Sequence, residues 1–381
     1  MPPQPDDLAA EFQRDAAQED RFRREAQIAE LRALNAELKR RQTAVAAREL
    51  YAQTIAEHAP LLTVPTIERV GRRSDTAKPV HTWGLLVSDI HVGQRTSAEH
   101  TGGLFTQSME LCVDQMHTLA SKIERLHYFA SKATHIERMY LFVLGDIVEG
   151  DGMRPSQHTK IDALVTRQTV QATDLLSYLI QHLLSFIPEV VVHVVGGNHD
   201  RTSQKAGDGG LGELGYEDTY AWLIGAFLER LFTKHVASGR LKLTNWASFF
   251  GGEVIYDRRF VFEHGASFPT STGSYGGIGW YPIQNAAGKY AQMLDGADFV
   301  LMGHFHRPAV LPFGRGEQIL NGAFPPSTHY VQSSFKTVVM PSQVMFDMHA
   351  EHGLCTWQKL TLPHEGVAPA GQFWDDIRKR A

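Results

Sequence analysis

The sequence has little cysteine, no long apolar run and no excess of positive charge. Two cysteines, Cys112 and Cys355, in 381 residues argue against a disulfide scaffold and against a thiolate-rich zinc site. They point to a reducing compartment, so a cytoplasmic location is expected. No stretch of about 18 apolar residues occurs, so neither a membrane span nor a membrane partner is expected. The opening residues, Met1 to Asp7, carry neither the basic nor the apolar region of a secretory signal. Lys and Arg number 37 against 42 Asp and Glu, a net charge of −5. That balance argues against broad adhesion to nucleic acid while leaving room for a local basic groove. Internal repeats and low-complexity blocks are missing too.

What is present is a chain long enough for one large domain and an accessory piece. Residues 6–57 contain no Gly or Pro and are rich in Ala, Glu, Gln, Arg and Leu, the composition of a long helix. Leu31, Leu38 and Val45 recur every seven residues, a short heptad pattern that suits a packed amphipathic helix or a coiled coil. This arm, residues 1–58, would join two copies of the chain or hold a partner protein. Residues 1–78 carry 13 Lys and Arg and 13 Asp and Glu, a balance unsuited to a nucleic-acid arm. Pro60, Pro65 and Pro79 mark a linker over residues 59–80. A main domain over 81–362 and a tail over 363–381 complete the expected organisation.

Within that domain, apolar runs alternate with helical segments. Strands are expected at Trp83–Ser88, Arg138–Leu144 and Val190–Val195, with helices over about 106–131, 161–186 and 218–232. This is the pattern of an α/β sheet with helices outside. Shorter strands follow at Leu241–Thr244, Val254–Tyr256, Arg259–Phe262 and 297–302, with a helix over about 282–294. Thr337–Met340, Gln343–His349 and Leu354–Leu362 read as antiparallel strands.

The chemistry sits where these runs stop. The run Val190–Val195 ends in Gly196, Gly197, Asn198, His199 and Asp200. Four other runs end likewise: at Asp89 and His91, at Asp146, at His264, and at His304 and His306. A parallel strand delivers side chains to a site at its C-terminal edge. Carboxylates, imidazoles and one amide, without thiols, suit manganese, iron, zinc or nickel. There are more such residues than one ion needs. Two ions about 3.5–4 Å apart sharing a carboxylate fit better.

These residues carry a resemblance. Asp89-Ile90-His91, Gly145-Asp146, Gly197-Asn198-His199-Asp200, His264 and Gly303-His304-Phe305-His306 resemble, in order, the five motifs of the calcineurin-like metallophosphoesterases. The resemblance implies an αββα sandwich, here with an N-terminal helical arm. It implies two divalent ions, manganese first among them, with iron, zinc, nickel or magnesium as alternatives. Carried over, Asp89, His91, Asp146 and His306 would hold one ion. Asp146 as bridge, Asn198, His264 and His304 would hold the other. A deprotonated water between the ions would attack phosphorus in line. His199 would protonate the leaving oxygen, and Asp200 would either orient it or serve as a turn cap or salt-bridge partner. Arg154, Arg201 and Arg307 are candidate substrate-binding residues, each equally readable as a solvated charge, and Asp208 belongs with them.

The second motif departs from the protein phosphatases, which follow it with Asp-Arg; here Glu149 and Gly150 stand there, removing a phosphate clamp. The set looks closer to the DNA-directed branch: the SbcD-type nucleases, the exonuclease subunit of archaeal family-D DNA polymerase, and phage-borne phosphoesterases. The resulting expectation is a phosphodiesterase acting on DNA. The alternatives are a phosphatase or phosphodiesterase for nucleotides or other small esters, and a scaffold with a vestigial site. An intact ligand set weighs against the last.

Overall fold

The computed structural model describes residues 78–101, 104–152, 157–202, 215–268, 278–294, 296–327 and 337–365. All belong to the second of two units, residues 64–381. The helical arm, most of the linker, most of the tail, Arg154 and Asp208 lie outside the described residues.

Two sheets form the frame. The first has six strands: β1 (Val80–Val87), β2 (His135–Leu144), β3 (Glu189–Val195), β4 (Leu241–Asn245), β10 (Ser342–His349) and β11 (Gly353–Thr361). Their order is β11-β10-β1-β2-β3-β4, with β1 to β4 parallel and β10 and β11 antiparallel. The second sheet comprises β5 (Phe250–Ile255), β6 (Arg258–Glu263), β7 (Phe299–Met302), β8 (Ala309–Phe313) and β9 (Gly316–Leu320). Their order is β5-β6-β7-β9-β8, with β6, β7 and β9 parallel. Helices α1 (Met109–Ala130), α2 (Val165–Phe186), α3 (Tyr220–Leu231), α4 (Thr233–Ala237) and α5 (Trp280–Met293), with two single 3-10 turns at Glu99–Thr101 and Gln157–Thr159, complete the described elements.

Side-chain alternation turns these sheets into layers. In β2, Met139, Leu141 and Val143 face one way and pack with Met116, Leu119 and Ile123 of α1 and Leu176, Leu179 and Leu183 of α2. Tyr140, Phe142 and Leu144 face the other way and meet Phe260, Phe262, Leu301 and Ile319 of the second sheet. Strands buried on both faces read as unbroken apolar runs, which is why β1, β2 and β3 stand out in the sequence. The outer face of the second sheet, with Val300, Met302 and Leu320, is covered by Ile283 and Ala287 of α5. The result is helices on sheet on sheet on helix, the expected αββα sandwich.

Helix starts follow local chemistry. The Ser108 hydroxyl accepts from the Leu111 amide, and the Thr219 hydroxyl from that of Trp222, each capping an otherwise orphaned donor. Two differences from the sequence reading stand out. The hairpin β8–β9 was not expected. Pro312 lies within β8, and proline is tolerated there because β8 is the edge of its sheet. Conversely, Thr337–Met340 forms no strand. Val339 instead meets Ser327, whose amide donates to the Val339 carbonyl at 3.4 Å.

Candidate metal centre

Strands β1, β2 and β3 of the first sheet and β6 and β7 of the second end at one rim of the sandwich, and the polar clusters follow directly. The loops after β1 and β2 are stitched by main-chain hydrogen bonds. Asp89 N donates to Gly145 O at 3.0 Å, His91 N to Asp146 O at 3.0 Å, and Val92 N to Ile147 O at 2.9 Å. Close backbone approach sets the residue choice. A Cβ on Gly145 would lie 2.5 Å from the Gly197 amide nitrogen, and Gly145 also has φ +78°.

The backbone is strained here in a consistent way. Asp89, His91, Asp146, His304 and His306 all have φ between +48° and +67°. This left-handed region costs a residue other than glycine roughly 1–3 kcal/mol and persists only where the surroundings enforce it. Five of the seven residues expected as ligands share it, as do Tyr256 and Asp257 in the turn between β5 and β6.

The side chains converge in two groups. In the first, Asp89, His91 and His306 place one donor atom each within 4.8 Å of the others. His306 Nε2 lies 3.1 Å from Asp89 Oδ1, and His91 Nε2 lies 3.3 Å from His306 Nε2. In the second, Asp146, His264 and His304 do the same. His264 Nε2 lies 3.1 Å from Asp146 Oδ2, 3.1 Å from Asn198 Oδ1 and 3.2 Å from His304 Nδ1. Asp146 stands between the groups, with His91 Nε2 at 3.9 Å from its Oδ2. Imidazole nitrogens facing one another across buried carboxylates are poorly paired by themselves. A shared cation would satisfy them all, so the donor set fits divalent metal ions.

Outer contacts fix the ring orientations. His91 Nδ1 lies 2.8 Å from Glu149 Oε2, and His264 Nδ1 lies 2.8 Å from Leu144 O. Metal-ligating histidines use their second nitrogen in this manner. The Asp89 carboxylate also accepts from the His304 amide at 3.0 Å and from the Ser88 hydroxyl.

Charge follows burial and neighbours. Burial alone would push the Asp146 carboxyl up, but the imidazoles of His264, His199 and His91 hold it well below the usual carboxylate range. Burial lowers His264, yet Asp146 outweighs that and holds it at about 10. Next to it, His304 is pushed down to about 3 by burial and by His264. Ligands must be deprotonated to bind a cation, so protons and a cation would compete for these imidazoles.

His199 lies beside the first group, its ring edge-on to His91 with centroids 4.6 Å apart. Its Nδ1 is 2.8 Å from Glu149 O and 3.1 Å from Gln157 Nε2, and its amide donates to Asp146 Oδ1 at 2.7 Å. Burial lowers this imidazole, but the Asp146 and Glu149 charges overcome that and raise it above its usual value. Its side chain is 22% exposed and that of His306 31%, against 5% or less for Asp89, His91, Asp146 and His264. The centre therefore opens to solvent on the side of His199 and His306.

Asp200 does not orient His199. Its carboxylate accepts from Ile147 N at 2.9 Å, Val148 N at 3.2 Å and Gly197 N at 2.8 Å. Through these three amides it ties the turn after β3 to the turn after β2. Burial and the nearby Asp146 charge push it up to about 6. Glu149 holds His199 through its carbonyl, and Gln157 Nε2 in turn donates to that carbonyl at 2.7 Å and to Glu149 Oε1 at 3.1 Å; sequence reasoning missed both. Glu149 was visible three residues beyond Asp146 but was read only as a departure from the family motif. Gln157 arrives across a loop and has no pattern to betray it. Arg201 lies half-buried at a bridge to Thr219, and Arg307 donates to the Thr337 hydroxyl.

The sequence model of the calcineurin-like phosphoesterases matches residues 85–308, more than half of the chain. The chain belongs to the calcineurin-like phosphoesterase family. The family typically binds two divalent metal ions, and the described clusters could hold them. The DNA polymerase II small subunit of Pyrococcus furiosus is 23% identical over 296 residues, covering 70% of this chain and 40% of the relative. The chain thus spans about 40% of the length of that curated relative. Among solved structures, an archaeal phosphodiesterase aligns at TM-score 0.31 and 11% identity, covering 74% of this chain and 99% of the other. Vacuolar protein sorting 29 of Cryptosporidium parvum aligns at 0.33 and 11%, covering 75% and 98%. No described helix is long and apolar enough to cross a membrane.

Proposed function

We propose that this phosphoesterase is a phosphodiesterase that uses two divalent ions, manganese first among the candidates, and acts on DNA. The observation that carries the reading is the pair of converging groups, Asp89–His91–His306 and Asp146–His264–His304, with Asp146 between them. Asp89, His91, Asp146 and His306 would hold one ion, and Asp146, Asn198, His264 and His304 the other. Ions held there offset phosphate charge and lower the pKa of a water.

The chain's own residues do the rest. Glu149 holds His91, and Leu144 O holds His264, so that each ring presents Nε2 to the centre. With His199 Nδ1 donating to Glu149 O, its Nε2 remains to carry a proton to a leaving oxygen. Asp200 keeps the β2 and β3 turns in register. Arg201 and Arg307 are proposed to meet the substrate backbone. DNA is favoured by the motif resemblance and by the name of the Pyrococcus relative, a DNA polymerase subunit. Residues 1–58 are proposed to mediate association with a second copy or a partner protein, in the cytoplasm.

The test is a substrate panel with added manganese: single-stranded DNA, duplex DNA, bis-p-nitrophenyl phosphate, p-nitrophenyl phosphate and cyclic nucleotides. Cleavage of DNA together with bis-p-nitrophenyl phosphate supports the reading. Turnover confined to p-nitrophenyl phosphate or cyclic nucleotides would replace it with a small-ester enzyme.

A further inference from the structure

A second group of metal-type donors lies elsewhere in the first sheet. His81 is the second residue of β1, eight residues before Asp89, a span of about 26 Å along an extended strand. On the adjacent β10, Asp347 stands diagonally across from it, and His81 Nδ1 lies 2.9 Å from both Asp347 oxygens. On β11 the pairing slips at this level. Asp347 faces Thr356 while Met348 faces Leu354, leaving Cys355 as the extra residue. A bulge of this kind re-aims one side chain out of strict alternation. Here it brings Cys355 Sγ to the face already occupied by His81 and Asp347, and one donor atom from each of the three lies within 4.8 Å of the others.

We propose that His81, Asp347 and Cys355 form a separate site for a single borderline divalent cation, of the zinc and cobalt type. Imidazole, carboxylate and thiolate form a ligand set for such ions. Two ligands of one tetrahedral cation, each about 2.1 Å from it, stand about 3.4 Å apart, so His81 and Asp347, now 2.9 Å apart as an ion pair, would separate by only about half an ångström to share one. Neighbouring His349 is not a ligand, because its Nδ1 accepts from the amides of Glu351 at 3.2 Å and His352 at 3.4 Å. That leaves three protein ligands and an open position for water. Partial burial, followed by the nearby Asp347 charge, holds the Cys355 thiol above its usual value when no cation is present. Cation binding displaces the thiol proton to solvent and leaves thiolate as ligand. Cys112, the other cysteine, is buried on the inner face of α1 and cannot substitute.

The test uses the full chain, stripped by chelation and titrated with cobalt(II). The rim centre contains no thiol, so a near-ultraviolet thiolate-to-cobalt charge-transfer band reports this site alone. The wild-type protein should develop the band. Cys355→Ser should abolish it with hydrolysis of a small diester unchanged. Asp146→Asn should keep it. His81→Ala and Asp347→Asn should each raise the cobalt concentration for half-saturation at least tenfold. No band in the wild type, or an unchanged band in Cys355→Ser, would overturn the site. So would a band that needs Cys355 but ignores His81 and Asp347, which would mean an isolated surface thiol binding cobalt.

Discussion

The Nδ1 atom of His91 lies 2.8 Å from Oε2 of Glu149. The same carboxylate takes a hydrogen bond from Gln157 Nε2 at 3.1 Å, and that amide is 3.1 Å from His199 Nδ1. One buried acid therefore governs a proposed metal ligand directly and helps to place the proposed acid catalyst. Removing its charge and removing its amide partner should have separable consequences. Glu149→Gln should weaken metal binding or activity by about 10–100-fold, the usual cost of losing such an outer contact. Gln157→Ala should keep metal content and reduce turnover alone. Metal content after dialysis, measured beside kcat, distinguishes the two. Equal metal loss in both variants would contradict the division.

His199→Ala should lose about 10²–10⁴-fold in kcat while retaining both ions. The ring touches the Glu149 carbonyl and Gln157 rather than the centre of either cluster. A proton donor matters most for poor leaving groups. The loss should therefore shrink for nitrophenolate esters and grow for alkyl or nucleotide esters. A uniform loss across leaving groups, or a loss of bound metal, would reject the role.

Gly303→Ala tests how tightly the rim is built. Its added Cβ would lie 2.7 Å from Asp89 Oδ2 and 2.7 Å from Ser88 Oγ. Asp89 is fully buried and cannot step aside without losing the His304 amide. Metal affinity should fall at least tenfold in a protein whose circular dichroism and melting behaviour remain near wild type. Wild-type metal affinity would show that the Asp89 carboxylate is not held in place by this packing.

Deleting residues 1–58 should leave hydrolysis of bis-p-nitrophenyl phosphate nearly unchanged, because every proposed ligand lies in residues 89–306. The same deletion should lower the oligomer mass in light scattering if Leu31, Leu38 and Val45 form a coiled-coil seam. A truncated protein with the full-length assembly state would reject the seam.

Much of the fold was legible because β1, β2 and β3 are buried on both faces and read as apolar runs broken by abrupt polar clusters. The convergence of Asp89, Asp146, Asn198, His264 and His304 follows from that parallel arrangement. The hairpin β8–β9 was not legible, because an edge strand tolerates the Pro312 that a central strand would not. Thr337–Met340 has β-forming residues but no neighbouring strand to pair with among the described residues. The positions of Asp200, Glu149 and Gln157 depend on contacts between turns far apart in sequence, which residue order does not encode locally. For Asp200 the orienting and the turn-capping roles were both open in the sequence, but which amides it caps, 52 and 53 residues away, was not legible there.

The most direct test of the two-ion phosphodiesterase is a manganese titration of the chelator-stripped protein, following bis-p-nitrophenyl phosphate hydrolysis. The rate should be negligible without metal, rise with added manganese and level off at two equivalents per chain. Asp146→Asn, which replaces the carboxylate between the two clusters with a neutral amide, should bind less metal and stay nearly inactive throughout. Full activity in the stripped wild-type protein, or in Asp146→Asn, would contradict the account.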